Sequence, residues 1–384
     1  MPVGSVLFAF VLGAVICLVT GADPIAAYSG LLCGGVGIGC TQGENSALQI
    51  SNTIVFFIPL VMTGIAVALP FRAGLFNIGA EGQLIAGALT CTAIGIQFKD
   101  LPGFVLLPLV LIAGMAAGAV WAGIAGVLKA TVGAHEVVTT IMLNYIAQWL
   151  LRYTIIGGPL QLGEGTSTSR PIGQGAHLAT LLPAGNSLIF GLPSSVYRLH
   201  WGVLIALIAA AVFAFLLWRT AFGYQIRAVG QSQKAARYAG VSVRRTIILT
   251  MVIAGAFAGL AGAVQVAGVD HNLTDKYFYD TTGFDAIAVA LLGLGSAVGI
   301  VLAALLFGAL HSGGAIMQSD AGISSNLVLV LQALILFSIA ANFVGAIRRT
   351  LPFGRRPPTE QLPSEMPPAA GLMSEAAAPV EEVQ

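Results

Sequence analysis

Long apolar segments recur along this chain, separated by short stretches that hold most of its polar residues. Each segment has about 18 or more mostly apolar residues, enough to cross roughly 30 Å of hydrocarbon as a helix. Because the bilayer core holds no water to satisfy exposed backbone groups, the pattern predicts an all-α fold, a polytopic transmembrane helical bundle. The predicted spans are residues 3–20, 52–70, 75–97, 103–128, 136–156, 200–218, 247–269, 284–310 and 326–346.

Composition supports a membrane location. Hydrophobic residues make up 57% of the 384 residues, charged residues make up only 9%, and the mean hydropathy is +0.90. Soluble domains carry about 25% charged residues, so the chain is predicted to be an integral membrane protein. The 48 glycines fit a helical bundle, because small residues allow membrane helices to approach closely. The net charge of +1 indicates neither an acidic partner nor nucleic acid.

Basic residues predict the orientation of these spans. The segment 219–246 contains six Arg or Lys residues and no Asp or Glu, so the positive-inside rule places it in the cytoplasm. Four arginines within 348–356 place the C-terminal tail there as well. Counting spans backward from the first basic segment makes 21–51 and 157–199 external and the N-terminus cytoplasmic.

Two cytoplasmic segments must be separated by an even number of crossings, yet three apolar stretches lie between 246 and 348. We therefore expect the stretch 284–310 to break at Gly293 and Gly295, with a short half-helix before the break. Such breaks are tolerated at membrane depth where protein or a cavity covers the freed backbone. The bundle then has about ten crossings, one of them short. The alternative is one long tilted helix and a misplaced tail.

The spans form one predicted transmembrane domain, 1–350. Its external loop, 157–199, is rich in Gly, Pro and Ser and is either a surface for an extracellular partner or a passive connector. The tail 351–384 has the composition of a disordered cytoplasmic segment. No Lys or Arg precedes the first span and no clear cleavage site precedes Asp23, so we expect a retained helix rather than a signal peptide.

The four cysteines fall in two settings. Cys17 and Cys91 lie in apolar runs, whereas Cys33 and Cys40 lie in a glycine-rich segment predicted to be external. A disulfide could form there outside the cell, but two unpaired thiols are the favoured interpretation.

Motifs of enzymes are missing from the sequence. No G-x-x-x-x-G-K-[ST] nucleotide-binding loop occurs, so energy for any transport must come from elsewhere. His135 and Glu136 begin like a zinc-protease helix, but Thr139 stands where the second histidine is needed, and the five histidines show no metal spacing. No G-x-S-x-G elbow or Cys/His pair is present. Passage of a solute across a membrane is the function left.

The basic segment contains a recognisable pattern. The run "GYQIRAVG" at 223–230, followed by "AARYAGV" at 235–241, resembles the cytoplasmic coupling segment of ATP-binding cassette importer permeases. The resemblance is closest to the group that carries simple sugars, nucleosides and branched-chain amino acids. Within that group, "FNIGAEGQ" at 76–83 and "GAHEVVTTIMLNYIA" at 133–147 look like the larger permease subunit of bacterial nucleoside importers. The resemblance covers about residues 50 to 346.

This resemblance implies a set of partners in a bacterial plasma membrane. A separate cytoplasmic ATPase would bind and hydrolyse ATP, while this chain would bind no cofactor and no metal. A second, homologous permease half and an extracellular solute-binding lipoprotein would complete the importer, and lipid would surround it. A heterodimer of permeases is the expected arrangement.

The resemblance also implies which residues transmit the movement of the ATPase. Residues 231–239 contain good helix formers followed by Gly240, the pattern of a short surface helix with a C-terminal stop. A plain alternative is an amphipathic segment held by anionic lipid head groups. The predicted coupling residues are Gly223, Arg227, Gly230, Ala235, Ala236, Arg237 and Gly240.

Polar residues inside spans are costly and usually face a cavity or a helix partner. The stretch "FRAGLFNIGAEGQLIAG" places Asn77 and Glu81 four residues apart, which predicts one polar helical face. The alternative is that Glu81 is salt-bridged to Arg72 or hydrogen-bonded to a neighbouring helix, without touching solute. The predicted substrate path comprises Asn77, Glu81, Gln83, Asn144, Tyr145, Gln265 and Asp285.

Two further hypotheses remain open. The segment "TTGFDAIAVALLGLGSAVG" resembles the opening stretch thinly, with Asp285 opposite Asn77, and suggests an internal repeat. The competing functional class is a self-contained secondary carrier or facilitator of small polar solutes, which would work without an ATPase. A structural scaffold would leave the internal polar residues unexplained.

Overall fold

The computed structural model describes residues 2–40, 45–181, 188–189, 192–193, 197–279, 281–321, 324 and 326–340. Two short strands, β1 (Leu188–Ile189) and β2 (Leu192–Pro193), pair antiparallel within the loop 157–199, which is predicted to be external. The helices of the described residues are α1 (Pro2–Val19), α2 (Pro24–Val36), α3 (Ser46–Arg72), α4 (Ala80–Gln97), α5 (Gly103–Val132), α6 (Glu136–Ile155), α7 (Gly202–Arg219), α8 (Ala221–Gln231), α9 (Gln233–Tyr238), α10 (Val243–Gln265), α11 (Lys276–Tyr279), α12 (Thr282–Leu292), α13 (Ala297–Ala321) and α14 (Asn326–Ala340).

The predicted polytopic helical bundle is confirmed. Five helices of the described chain are long and apolar enough to cross a membrane by length and composition: α3, α5, α7, α13, and α10 together with the π turn that continues it. The helices α1, α2, α12 and α14 are shorter apolar helices. The predicted disordered tail, 351–384, lies outside the described residues.

The predicted break between α12 and α13 is confirmed. The helix α12 ends at Leu292, and α13 begins at Ala297. Leu294 and Gly295 both have left-handed backbone, with φ of 52° and 59°. Arg72, at the end of α3, donates to their carbonyl oxygens at 2.9 and 3.0 Å. The freed carbonyl groups are thus satisfied by a cation from another helix.

The segment 21–51, expected to be an external loop, contains the helix α2. Asp23 caps it by accepting the N–H of Ile25 at 2.8 Å, and Pro24 occupies its first turn. Its glycines allow close packing on α13, where Gly30 meets the backbone of Met317 and Gly34 meets Gly313. The helix has only 13 residues. This is fewer than the about 18 apolar residues from which a span is predicted.

Cys33 and Cys40 form a disulfide, so the expectation of two unpaired thiols is wrong. The bridge joins the last turn of α2 to the chain just beyond it, across a separation of 7 residues and 4.8 Å between Cα atoms. Gly37, with a φ of 72°, ends α2 and reverses the chain. This left-handed position brings the two cysteines together. Cys17 and Cys91 are free and buried.

The predicted span 75–97 begins too early. The helix α4 starts at Ala80, and the chain from 75 to 78 is irregular. Asn77 accepts the N–H of Gly79 at 3.1 Å, a local hydrogen bond that competes with helix. Asn77 and Glu81 therefore do not share a helical face, contrary to the prediction.

The bundle has two chemically different ends. At the basic end, Gly230 of α8 packs against the backbone of Arg72, so the basic segment lies beside the end of α3. At the loop end, Gly173 and Leu178 of the predicted external loop donate their N–H groups to Gly95 and Ala267, at 2.9 and 2.8 Å. The helix α10, which runs between these ends, has 23 residues and is about 35 Å long. The two predicted loops therefore lie at opposite ends.

Close glycine contacts hold α10 at the centre of the bundle. Gly255 and Gly259 pack against the backbone of Gly118 and Gly114 on α5, and Gly87 of α4 also meets Gly259. A Cβ at any of these positions would overlap a backbone atom or a neighbouring side chain. Such close packing stabilises the association of helices in lipid, where the hydrophobic effect does not drive them together.

Candidate functional site: a polar cavity and a basic surface helix

A cavity of about 950 Å³ lies between α3, α12, α13 and the outer end of α10. Its lining begins at the loop end with Leu48 and Arg198, and it reaches inward as far as Leu60 and Leu84. None of its lining residues belongs to the basic end. The cavity is therefore accessible from the loop end, which the charge pattern predicts to be external.

The cavity wall mixes amides, hydroxyls, charges and aromatic rings. Such a lining can donate to and accept from an uncharged polar solute while covering its apolar parts. Gln265 and Asp285, two residues of the predicted substrate path, belong to it. The other polar or aromatic lining residues are Gln49, Asn52, Phe56, Arg198, Asp270, Lys276, Tyr279, Thr281, Thr282, His311, Ser312 and Gln318.

A polar cluster surrounds Gln265 at the rim of the cavity. Its amide donates to Asp270 Oδ2 at 3.2 Å, and Tyr277 donates its hydroxyl to the same oxygen at 2.6 Å. Lys276 forms an ion pair with Asp270. Asp270 ends a π turn, Val266–Asp270, a local geometry that often marks functional sites. The sequence analysis did not single out Asp270 or Lys276.

The amides of Asn77 and Gln83 are buried and bind each other. Asn77 Nδ2 donates to Gln83 Oε1 at 3.1 Å, and Gln83 Nε2 donates to Asn77 Oδ1 at 2.8 Å. Asn77 Nδ2 also donates to the carbonyl oxygen of Ala66 at 3.0 Å, which ties the chain before α4 to α3. Neither residue lines the cavity. Their contact with solute stays a prediction.

Glu81 is fully buried beside the cavity floor. Its Oε2 accepts the N–H of Gly283, in the first turn of α12, at 2.6 Å. A Cβ on Gly283 would overlap the backbone of Glu81, so the first turns of α4 and α12 touch. The hydrogen bond to a neighbouring helix is thus one of the two alternatives foreseen for Glu81, while Arg72 binds the α12–α13 break instead.

The position of Glu81 has a simple electrostatic reason. Helix N-termini carry a partial positive charge, and here the N-termini of α4 and α12 meet in the interior of the bundle. A carboxyl group in the first turn of α4 that also accepts from α12 interacts favourably with both. Glu81 therefore joins two helices directly beneath Thr282 and Leu84, two residues of the cavity lining.

The last two predicted path residues lie elsewhere on α6. Asn144 is buried and clamps the start of α4: its Oδ1 accepts the N–H of Gly82 and its Nδ2 donates to the carbonyl of Ile78, both at 2.8 Å. Tyr145 is 56% exposed on the outer surface of the bundle. Neither lines the cavity, so their role in solute contact stays a prediction.

Several cavity residues that the sequence analysis missed share one face of α3. Gln49, Asn52 and Phe56 are spaced by three and four residues, which places them on one face of a helix. That spacing was a signal available in the sequence. His311, across the cavity on α13, had no such signal, because it stands alone in an apolar run.

The helix α8 is bound tightly to the bundle through three predicted coupling residues. Gly223 packs on the carbonyl groups of Leu216 and Leu217, where a side chain would not fit. Arg227 donates to the Leu217 carbonyl, and its guanidinium lies 4.7 Å from the ring centre of Trp218. Gly230 packs against the end of α3. A displacement of α8 would therefore be transmitted directly to α7 and α3.

The helix α9 confirms the predicted short surface helix with a glycine stop. Ser232 caps it by accepting the N–H of Ala235 at 3.3 Å, and Gly240 follows it with a φ of 81°. Ala236 faces the bundle and is 3% exposed, whereas Ala235 and Arg237 are exposed. Tyr238, which the sequence analysis passed over, is 94% exposed. The outer side of α9 thus presents an aromatic ring and a cation.

Three of the five histidines, which looked scattered in sequence, come together at the loop end. The rings of His177 and His271 stack, with 3.8 Å between their centroids. His200 accepts the N–H of Gly202 at 3.0 Å. Burial lowers the pKa of all three, that of His200 to about 4, which favours their neutral forms. In the described part of the chain, no His, Cys, Asp or Glu cluster could hold a metal ion.

Comparison with known proteins identifies the kind of chain that has this arrangement. The family described as "Branched-chain amino acid transport system / permease component" matches residues 49–340. The guanosine ABC transporter permease protein NupP of Bacillus subtilis (strain 168) is 38% identical over 343 residues, which make up 89% of this chain and 93% of NupP.

Two further relatives are named as permeases for nucleosides and for glucose. The nucleoside ABC transporter permease protein NupB of Lactococcus lactis subsp. cremoris (strain MG1363) is 37% identical, over 90% of this chain and 91% of NupB. The glucose ABC transporter permease protein TsgB13 of Haloferax volcanii is 36% identical, over 92% of this chain and 90% of TsgB13.

Proposed function

This chain belongs to the permease family of branched-chain amino acid transport systems, and we propose that it carries nucleosides into the cell, with simple sugars as the alternative. It is the permease subunit of an ATP-binding cassette importer, since permeases of that class align over 89% to 92% of it. The observation that supports the nucleoside assignment best is the 38% identity to a guanosine permease, over a stretch that covers 93% of that protein. The amides and hydroxyls of the cavity support it.

A separate ATPase docks on the basic end in this proposal. The helix α9 offers an exposed surface, while α8 beneath it is fixed to α7 and α3 through Gly223, Arg227 and Gly230. A displacement of α9 would therefore be transmitted to helices that line the cavity or support it. The ATP is used by that partner, and this chain holds no cofactor of its own.

The same proposal includes two more protein partners in a bacterial plasma membrane. A second, homologous permease would pack against part of the apolar outer surface, and lipid would cover the rest; α6 alone presents Met142, Ile146 and Trp149 there, each more than half exposed. A solute-binding lipoprotein would deliver ligand at the loop end, where the described part of the external loop is fixed to α4 and to the π turn.

Uptake by the native cells tests the substrate. Deleting the gene and restoring it from a plasmid should abolish and then recover uptake of radiolabelled guanosine, with little change for glucose. Loss of glucose uptake alone would replace the nucleoside assignment with the sugar alternative. Unchanged uptake of both would overturn the proposal. A protonophore distinguishes a proton-driven carrier, because an ATP-driven importer keeps working when the proton gradient collapses and ATP is maintained. Depletion of ATP distinguishes a facilitator, which works without ATP.

A further inference from the structure

An aromatic pair stands inside the polar cavity. The rings of Phe56 on α3 and His311 on α13 lie 4.4 Å apart between centroids, inclined by 45°. Both belong to the cavity lining, and 39% of Phe56 is exposed. Because Phe56 lines the cavity, its exposed face is available to a solute there. Its placement favours a ligand with an apolar face.

The residues around the pair offer the complementary polar groups. Asn52 and Gln49 lie one and two helical turns from Phe56, on the same face of α3. An amide both donates and accepts, as the edge of a purine requires. Deeper in the cavity, the carboxyl group of Asp285 and the hydroxyl of Thr281 are of the type that binds the vicinal hydroxyls of a sugar. A cavity of about 950 Å³ lies within the usual range for small-molecule sites.

We propose that the Phe56–His311 pair is the base-binding platform of this permease, on which a purine stacks while its ribose lies toward Asp285. The inference rests on the proposed nucleoside function and deepens it by naming the residues that distinguish a nucleoside from a free sugar. The amides of Gln49 and Asn52 contact the edge of the base. A free pentose would meet only the Asp285 side and would bind more weakly.

The first test labels the site directly. The importer is purified with its bound partners and irradiated with 8-azidoguanosine, and the labelled peptides are identified by mass spectrometry. The expected label lies on α3 or α13 and is competed by guanosine but not by equal ribose. Label confined to other helices, or competition by ribose as strong as by guanosine, would overturn the inference.

The second test uses matched substitutions. Phe56→Leu keeps an apolar side chain but removes the stacking face, and Phe104→Leu makes the same change at a residue of α5 that is 82% exposed and lies outside the cavity. Phe56→Leu should lower guanosine labelling and uptake by roughly five- to a hundredfold, the range expected for a lost base–aromatic stack. Phe104→Leu should leave both unchanged.

The two proposals can fail separately. If the unaltered protein does not import any nucleoside, the proposed substrate is wrong. If it imports guanosine and Phe56→Leu imports it equally well at an equal membrane level, the base platform is wrong and the nucleoside function stands.

Discussion

At the scale of single residues, polar side chains in the apolar interior serve mostly to join helices. Asn77, Gln83 and Asn144 bind backbone or one another around the start of α4, and Glu81 bridges to α12. The sequence showed that these residues are costly in a membrane and so must have partners. It did not show which partners, because the irregular chain before Ala80 moves Asn77 off the expected helical face.

Substitution of Glu81 tests its bridging role. Glu81→Gln keeps an acceptor for the Gly283 N–H but replaces the carboxyl group with an amide, whereas Glu81→Ala leaves that buried N–H without its Glu81 acceptor. An unsatisfied buried donor costs about 1–3 kcal/mol. We expect thermal unfolding in detergent to occur at a lower temperature for both variants, and at the lowest for Glu81→Ala. An alanine variant as stable as the unaltered chain would show that the α4–α12 contact does not depend on this carboxyl group.

At the scale of helices, the break between α12 and α13 could be predicted and α2 could not. The break follows from counting: an odd number of spans could not connect two basic segments on one side, and Gly293 and Gly295 marked the place. The helix α2 has only 13 residues and packs through glycines on α13, a neighbour some 280 positions away. Such a contact has no local signal. The cap at Asp23 and Pro24 was the signal that could have indicated it.

The exposed ring of Tyr238 tests docking through α9. Tyr238→Ala should reduce ATP-driven uptake by about tenfold, as for an aromatic anchor of an interface. The membrane level and the unfolding temperature should not fall, because this side chain is 94% exposed and so contributes little packing to the rest of the chain. The matched control is Tyr153→Ala, a tyrosine 69% exposed near the loop end of α6. Uptake that stays normal in the Tyr238 variant would leave α9 as a lipid-facing segment.

At the scale of the whole molecule, the architecture divides the work of an importer between two ends. The cavity is lined from the loop end down to the meeting point of α4 and α12. In the proposed function, the basic end carries the surface on which the ATPase docks. Composition and charge predicted the bundle and its orientation. The cavity could not be predicted in the same way, because its walls come from α3, α12 and α13, whose pairing depends on packing rather than on any local pattern.

The central claim is that this chain moves solute with energy supplied by another protein. The most direct measurement is to tag the chain in its native membrane, purify it gently, identify its companions by mass spectrometry and measure guanosine uptake after reconstitution in liposomes. We expect an ATPase with a P-loop and a second polytopic permease to come with it, and uptake to require ATP. A chain that purifies alone and still moves guanosine without ATP would contradict this expectation and establish a self-contained carrier.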